Sequence, residues 1–221
     1  MTHDYGSGWE KAYAEHSSDT LWSEDPIPCL DQVAEHLTAA GVRTVLDVGC
    51  GDGRNLAALL GHGFAGAGLD ISGTALQRAS RRLGGRAFLV RGDAVSLDAI
   101  PDGSVDAITN FDVFGQIPEA ERMVGNFRRV LRPGGICAVN AYTPADSEYG
   151  MGTPVGDHAF EYRGTLFRFF EEADVRKIFD GWKLLSLGRQ SWVDPPHGAF
   201  RPHEHTHDNW IVVATPERED F

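Results

Sequence analysis

Residues 42–55 read VRTVLDVGCGDGRN, an order that predicts a strand, a sharp turn and the start of a helix. The run from Thr44 to Val48 is short, apolar and β-branched, which favours a buried parallel strand. It is followed by three alternate glycines, Gly49, Gly51 and Gly53. Glycines lack the Cβ atoms that hold a ligand away from the backbone, and they tolerate positive φ where the chain turns. Because a helix from Arg54 presents its N-terminal N–H groups at this turn, the motif indicates a site for a nucleotide-like ligand.

Strands and helices alternate through the rest of the chain. Apolar runs predict strands at 64–69, 86–90, 105–110, 136–141, 182–187 and 210–214, with an irregular segment at 188–197. Helical periodicity and turn residues predict helices at 26–40, 72–83, 119–131 and 171–179. Since parallel neighbouring strands need crossover connections, this alternation favours an α/β fold with a doubly wound sheet. Ligands of such sheets bind beyond the carboxyl ends of the strands, so the residues after each strand are the candidates.

The bulk properties restrict the partners and the location. The chain has 221 residues and a formal net charge of −12, and an acidic surface repels phosphate backbones, so we expect no nucleic-acid partner. No apolar run approaches the length of about 20 residues that a membrane span needs. Residues 1–6 lack the basic and apolar regions of a secretory signal, and the three cysteines are scattered. We therefore expect a single cytoplasmic domain, residues 1–221, with reduced thiols.

An acidic residue ends the second predicted strand. Asp70 lies 17 residues after Gly53, where a carboxylate can accept two hydrogen bonds from a ribose diol. The glycines fall at alternate positions, with Asp47 two residues before the first of them, so the pattern differs from the G-x-G-x-x-G of dinucleotide enzymes. Asp70 and the glycine turn together favour a nucleoside.

With these residues the chain resembles the class I S-adenosylmethionine-dependent methyltransferases. The resemblance covers residues 30–141 and rests on the D-x-G-x-G-x-G sequence of Asp47–Gly53, and on Asp70, Gly92-Asp93, Phe111-Asp112 and Leu131–Gly135. It implies a Rossmann-like sheet of seven strands, the last one antiparallel, with helices on both faces and a small cap. It also implies S-adenosyl-L-methionine as cofactor and S-adenosyl-L-homocysteine as product.

The same resemblance assigns residues to the parts of the cofactor. Asp47 and the glycine turn hold the methionine portion, and Asp70 takes the ribose hydroxyls. Asp93, with Ala94 beside it, takes the adenine amino group, and Asn110 and Phe111 line the sulfonium side. The complete predicted set is Asp47, Gly49, Cys50, Gly51, Asp70, Ile71, Asp93, Ala94, Asn110 and Phe111. An acidic and aromatic pocket suits a positively charged sulfonium.

Two aromatic segments are candidates for covering the pocket. In residues 1–25, Trp9, Ala12, Tyr13 and His16 have the spacing of a short amphipathic helix. This segment is either a lid or a group of aromatic residues packed on the edge of the domain. Residues 142–170 are too long and too aromatic for a simple connection, which favours a cap over the strand ends. The N-terminal segment is also loosely similar to that of tellurite- and thiopurine-type methyltransferases, which implies a small-molecule substrate.

The histidine-rich segment before the last strand has three possible roles. If residues 203–207 are extended, their three histidines point to one face. They then serve as a general base or substrate clamp, as ligands of a metal ion, or as a solvated edge. Our catalytic candidates are His197, Arg201, His203, His205 and, after the fifth strand, Tyr142, whose alternative role is packing. We assign no metal site from the sequence.

These observations give a functional hypothesis. We expect a monomeric or homodimeric enzyme that transfers a methyl group to an oxygen, sulfur or nitrogen atom of a small molecule by in-line displacement. One alternative is a methyltransferase that modifies protein or RNA, which needs an open cleft. The other is a catalytically silent protein of the same fold that binds a ligand or a metal.

Overall fold

The computed structural model describes residues 5–15, 21, 23–196 and 203–217, without the side chains of residues 5–7. The helices are α1 (Tyr5–Glu15), α2 (Leu30–Ala39), α3 (Arg54–Gly61), α4 (Gly73–Leu83), α5 (Ala120–Val130) and α6 (Glu172–Ile178), with a 3₁₀ turn at Phe114–Gln116. The strands of the first half are β1 (Thr44–Val48), β2 (Ala65–Asp70), β3 (Ala87–Arg91), β4 (Val105–Asn110) and β5 (Leu131–Tyr142). The second half contains β6 (Thr153–Gly156), β7 (Ala159–Tyr162), β8 (Thr165–Arg168), β9 (Trp182–Asp194) and β10 (His205–Pro216).

Seven strands form the main sheet, in the order β3-β2-β1-β4-β5-β10-β9. Strands β1 to β5 pair in parallel, and β10 is antiparallel to both of its neighbours, β5 and β9. The predicted fold class is therefore confirmed, including the antiparallel last strand. The chain reverses its winding direction between β1 and β4, and this is the place where doubly wound sheets bind their ligands.

Successive side chains of β1 enter different cores, which explains why the strand is apolar on both faces. Val45 belongs to the core that α2 covers, together with Leu37 and Leu59. Leu46 belongs to the core on the other side, which contains residues of α5 and α6 such as Phe127 and Val175. Helices on both faces are thus confirmed, as buried parallel strands require.

The predicted cap contains a small sheet of its own. Strands β6, β7 and β8 form an antiparallel sheet within residues 142–170. Its aromatic residues pack on one another and on the end of β5, in a cluster that includes Tyr142, Phe167 and Phe169. The Arg168 guanidinium donates hydrogen bonds to the carbonyl oxygens of Ile117 and Pro118, at 3.1 and 2.9 Å. These contacts attach the cap to the loop after β4.

The last two strands are longer than the sequence indicated. We predicted irregular chain at 188–197 and a final strand from Trp210, whereas β9 continues to Asp194 and β10 begins at His205. The added part is polar because its side chains hydrogen-bond across the hairpin instead of entering the core. The Asp208 carboxylate, for example, accepts from Arg189 at 2.5 Å and from the hydroxyl of Ser191.

Two observations bear on the environment of the protein. Cys29, Cys50 and Cys137 are free and buried. No helix in the described part of the chain has the length and apolarity that crossing a membrane requires.

Candidate active site

A cavity of about 540 Å³ opens at the carboxyl ends of β1, β2 and β4. Its wall contains eight of the ten predicted cofactor residues, namely Gly49, Cys50, Gly51, Asp70, Ile71, Asp93, Ala94 and Phe111. Trp9 and Tyr13 of α1 contribute to the same wall from the other side. The fold therefore brings together residues from the ends of four strands and from the N-terminal helix.

The glycine turn is shaped by close neighbours. The N–H groups of Gly49 and Cys50 both donate to the carbonyl oxygen of Leu69, at 2.7 and 3.0 Å, which joins the ends of β1 and β2. A Cβ on Gly49 would lie 2.3 Å from Cγ2 of Val113, and Gly49 has a φ of +75°. A Cβ on Gly51 would lie 2.6 Å from the hydroxyl oxygen of Tyr13, and its φ is +55°. Both positions combine positive φ with a lack of space, so only glycine fits without strain.

Backbone N–H groups fix the Asp70 carboxylate. One of its oxygens accepts from Gly51 N at 2.8 Å, and the other accepts from Ser72 N at 2.8 Å. Burial raises the pKa of Asp70, and these backbone hydrogen bonds oppose that rise. Because each carboxylate oxygen can accept more than one hydrogen bond, Asp70 retains acceptor capacity toward the cavity.

Two predicted cofactor residues do not line the cavity. Asp47 and Asn110 are buried directly behind its wall. Asp47 Oδ1 accepts from the Thr109 hydroxyl at 2.7 Å, and the Asn110 side-chain amide donates to the Val48 carbonyl at 2.8 Å. Burial raises the pKa of Asp47 from its ordinary value of 3.8 to about 7, although the hydrogen bond from Thr109 lowers it. Both residues hold the end of β1 against β4.

An ion pair that sequence patterns do not predict forms another part of the wall. Arg54 Nη2 lies 2.7 Å from Asp112 Oδ2, and both residues line the cavity. Asn140 of β5 donates to the other Asp112 oxygen at 2.8 Å, and its own side-chain oxygen accepts from Asp112 N at 2.7 Å. Asp112 has a φ of +59°, a conformation that aspartate tolerates better than most residues. An Asp directly after a strand end is a weak signal, and its partners are too distant in sequence to be inferred.

Helix α1 is docked over the cavity by polar contacts to α4. The Glu10 carboxylate accepts from the hydroxyls of Ser72 and Thr74, at 2.9 and 2.5 Å. The bond from Thr74 is the main reason that the pKa of Glu10 lies below its ordinary value. Arg78 donates to the carbonyl oxygen of Tyr13 at 2.6 Å. Of the amphipathic pattern predicted for this segment, Trp9 and Tyr13 line the cavity, while His16 lies outside the described residues.

The catalytic candidates lie elsewhere. Tyr142 is buried and stacks on His207, with ring centroids 6.3 Å apart. His203 is exposed just before β10, and His205 is the first residue of that strand. Neither of them nor Tyr142 lines the cavity. His197 and Arg201 lie outside the described residues.

Comparison with protein families gives one match that covers the glycine turn. Residues 46–139 match a family model described as "Methyltransferase domain". A probable S-adenosylmethionine-dependent methyltransferase of Mycolicibacterium smegmatis is 30% identical over 152 residues, which are 66% of this chain and 58% of that protein. The 2-methyl-6-phytyl-1,4-hydroquinone methyltransferase of Synechocystis is 29% identical over 142 residues, or 63% of this chain and 40% of that protein. The chain thus spans about half of the length of these curated relatives.

Solved structures show the same fold. The 1,6-didemethyltoxoflavin-N1-methyltransferase of Burkholderia thailandensis, solved with its substrate and S-adenosylhomocysteine, superposes with a TM-score of 0.69 at 16% identity, covering 99% of this chain and 91% of that chain. TehB of Haemophilus influenzae superposes with a TM-score of 0.63 at 16% identity, covering 85% and 62%. The family match and the shared fold agree with the glycine turn. Residues 46–139 therefore form a methyltransferase domain, and the chain has the fold of the class I S-adenosylmethionine-dependent methyltransferases.

Proposed function

We propose that this enzyme transfers a methyl group from S-adenosyl-L-methionine to a small-molecule nucleophile by in-line displacement. The attacking atom is an oxygen, a sulfur or a nitrogen, and S-adenosyl-L-homocysteine is released. The observation that carries the proposal is the cavity at the strand ends, whose wall combines the glycine turn with Asp70 and the aromatic residues of α1.

The proposal gives each strand end a part of the cofactor. The glycine turn, Gly49 to Gly51, receives the methionine portion, and Asp70 receives the two ribose hydroxyls. Asp93 takes the adenine amino group, since one of its oxygens is held by Val95 N at 2.8 Å and the other remains for a ligand. Phe111 lies along the sulfonium, whose positive charge is attracted by aromatic faces.

Asp47 and Asn110 support this binding from behind the wall. Their hydrogen bonds to Thr109 and Val48 hold the turn in the conformation that approaches the methionine portion. Carboxylates that surround the turn also make the cavity negative, which favours a cationic sulfonium cofactor over its neutral product.

A small substrate fits the size and cover of the cavity. A volume of about 540 Å³ falls within the range of roughly 300–1,000 Å³ of small-molecule sites. Helix α1, anchored by Glu10, lies where a macromolecular substrate would need to enter. The net charge of −12 disfavours nucleic acid. The proposal includes a single domain, residues 1–221, that acts in the cytoplasm as a monomer or homodimer.

Proton removal from the acceptor is a separate part of the proposal. Methyl transfer mainly requires alignment of the nucleophile with the sulfonium, and an already ionised acceptor needs no base. For a protonated thiol or phenol, we propose His197 as the base and Arg201 as a polar clamp for the substrate, since His203, His205 and Tyr142 of the predicted set do not line the cavity. A His197→Gln variant tests this assignment. If the base is lost, the pH profile of kcat should change with phenol acceptors. It should stay unchanged with acceptors that are ionised over the whole pH range of the assay.

The proposed function is tested by measuring S-adenosylhomocysteine release with a panel of thiols, phenols, amines and carboxylates. We expect turnover with at least one class and none with protein or RNA fractions. Release with a macromolecular fraction alone contradicts the small-molecule proposal.

The role of α1 is tested in the same assay with Glu10→Gln, which weakens the contacts to α4. Glu15→Gln is the matched control, because Glu15 is exposed on the same helix, where its carboxylate lies 3.7 Å from the ammonium group of Lys11. We expect a raised KM for Glu10→Gln and no change for Glu15→Gln. Equal KM values in the two variants refute the covering role of α1.

A further inference from the structure

Three potential metal ligands meet at the end of the β9–β10 hairpin where the chain connects the two strands. Asp194 on β9 pairs with His205 on β10, and His207 follows two residues later on the same face. One ligand atom from each of these residues lies within 4.8 Å of the other two. We propose that Asp194, His205 and His207 form a binding site for a divalent transition-metal ion such as Zn²⁺. This proposal does not depend on methyl transfer.

The hydrogen bonds around the two imidazoles support the proposal. His207 Nδ1 lies 3.1 Å from a carboxylate oxygen of Asp146, and His205 Nδ1 lies 3.0 Å from the carbonyl oxygen of His203. Both neighbours are acceptors, so both Nδ1 atoms carry the hydrogen in the neutral rings. The Nε2 atoms are then left with lone pairs. This is the arrangement of metal-binding histidines, whose second nitrogen commonly donates to a carboxylate or a carbonyl group.

The two Nε2 atoms face each other at 3.1 Å. Two lone pairs at this distance repel, and a cation placed between them removes the repulsion. A shared proton does this for the two histidines, and a metal ion does it while also binding the nearby carboxylate of Asp194. Its carboxylate oxygen lies 3.8 Å from His207 Nε2.

The distances and the chemistry of the ligands select the type of ion. Zinc–nitrogen bonds of about 2.0–2.1 Å in a tetrahedron place adjacent ligand atoms roughly 3.3 Å apart, close to the separation of the two imidazoles. The Asp194 oxygen, at 3.8 Å from His207 Nε2, must approach this nitrogen by about 0.5 Å to reach the same separation. Imidazole nitrogen suits zinc, copper, nickel and cobalt, whereas magnesium and calcium prefer oxygen ligands. Three protein ligands leave a position for water or another ligand.

The surroundings hold the site in place. The Asp146 side chain is fully buried, and the oxygen that contacts His207 also accepts from Asp208 N at 3.1 Å. The His207 ring lies between Tyr142 and Trp192, with centroid distances of 6.3 and 5.3 Å. The side chain of His207 is only 13% exposed and that of Asp194 19%, so the charge of a bound ion is only partly screened by water.

The test uses the full-length protein without a histidine tag, treated with chelator and titrated with Zn²⁺ and, separately, with Co²⁺. We expect one equivalent of Zn²⁺ to bind and Co²⁺ to give the visible absorption of a tetrahedral site. His205→Gln removes a ligand and should abolish the absorption band. Asp146→Asn removes a partner of a ligand and should weaken affinity by about 10–100-fold. His203→Gln is the matched control, since it changes an exposed histidine of the same segment, whose backbone carbonyl is retained.

Two results overturn the proposal. One is wild-type affinity for Zn²⁺ no greater than that of His205→Gln, which leaves a shared proton as the only cation between the rings. The other is an equal loss of affinity in His203→Gln and His205→Gln, which assigns binding to scattered surface histidines. If His205→Gln does not fold, Asp194→Asn replaces it. A rise in Tm with Zn²⁺ for wild type but not for Asp194→Asn supports the site, and an equal rise in both proteins overturns it.

Discussion

The buried carboxyl of Asp47 provides a quantitative prediction for Asp47→Asn. Its pKa is raised from 3.8 to about 7, chiefly by burial, despite the hydrogen bond from Thr109. Between these values the folded state keeps a proton that the unfolded state has released, so the free energy of unfolding falls as pH rises. The slope is about 1.4 kcal/mol per pH unit, and the decline ends above about pH 7.

Asparagine has nearly the shape of the protonated carboxyl and its amide oxygen still accepts from Thr109, but it does not ionise. Relative to Asp47→Asn, wild type should therefore lose about 2 kcal/mol between pH 5 and pH 7, and less than about 0.5 kcal/mol more by pH 8. Urea unfolding of both proteins without cofactor at pH 5, 6, 7 and 8 gives this difference. Other titrating groups are common to both proteins and largely cancel. If the difference in the free energy of unfolding between the two proteins is constant from pH 5 to pH 8, the pKa of Asp47 is not raised by burial.

Two further substitutions test contacts in the cavity wall. Gly51→Ala should lower the free energy of unfolding by about 1–3 kcal/mol more than Gly84→Ala, because both glycines have a φ near +56° but only Gly51 lacks space, beside the Tyr13 hydroxyl. Urea unfolding measures this, and equal losses contradict the close approach of α1. Arg54→Met should lower the free energy of unfolding by about 2–4 kcal/mol, since it leaves the largely buried Asp112 carboxylate without its cation, and a loss below about 0.5 kcal/mol contradicts the ion pair.

The placement of the glycine turn and Asp70 at the cavity was predictable because local rules determine it. The alternate glycines need positive φ and close approach, and Asp70 ends a strand whose direction the alternation of elements gives. The same alternation predicts parallel strands, and the crossover connections of such strands bring their carboxyl ends to one edge of the sheet. Eight of the ten predicted cofactor residues accordingly lie on one cavity wall.

The remaining part depends on contacts between distant residues. Asp112 contacts Arg54 and Asn140 only once β1, β4 and β5 have paired, and no sequence pattern near Asp112 predicts these partners. The polar half of β10 did not look like a strand, because its residues, such as Asp208, are buried by hydrogen bonds rather than by apolar packing. Histidine spacing indicated a shared face, but the opposing Asp194 follows from the hairpin register.

The most direct measurement is a calorimetric titration of S-adenosylmethionine and S-adenosylhomocysteine into wild type, Asp70→Asn and Asp31→Asn. Asp31 is exposed on α2, away from the cavity wall, and serves as the control. We expect wild type and Asp31→Asn each to bind one equivalent of each compound. For Asp70→Asn we expect an affinity at least roughly tenfold lower, because charge-assisted hydrogen bonds contribute about 1.5–3 kcal/mol each. Absence of binding of both compounds to folded wild-type protein contradicts the account, and unchanged affinity in Asp70→Asn removes this carboxylate from the ribose site.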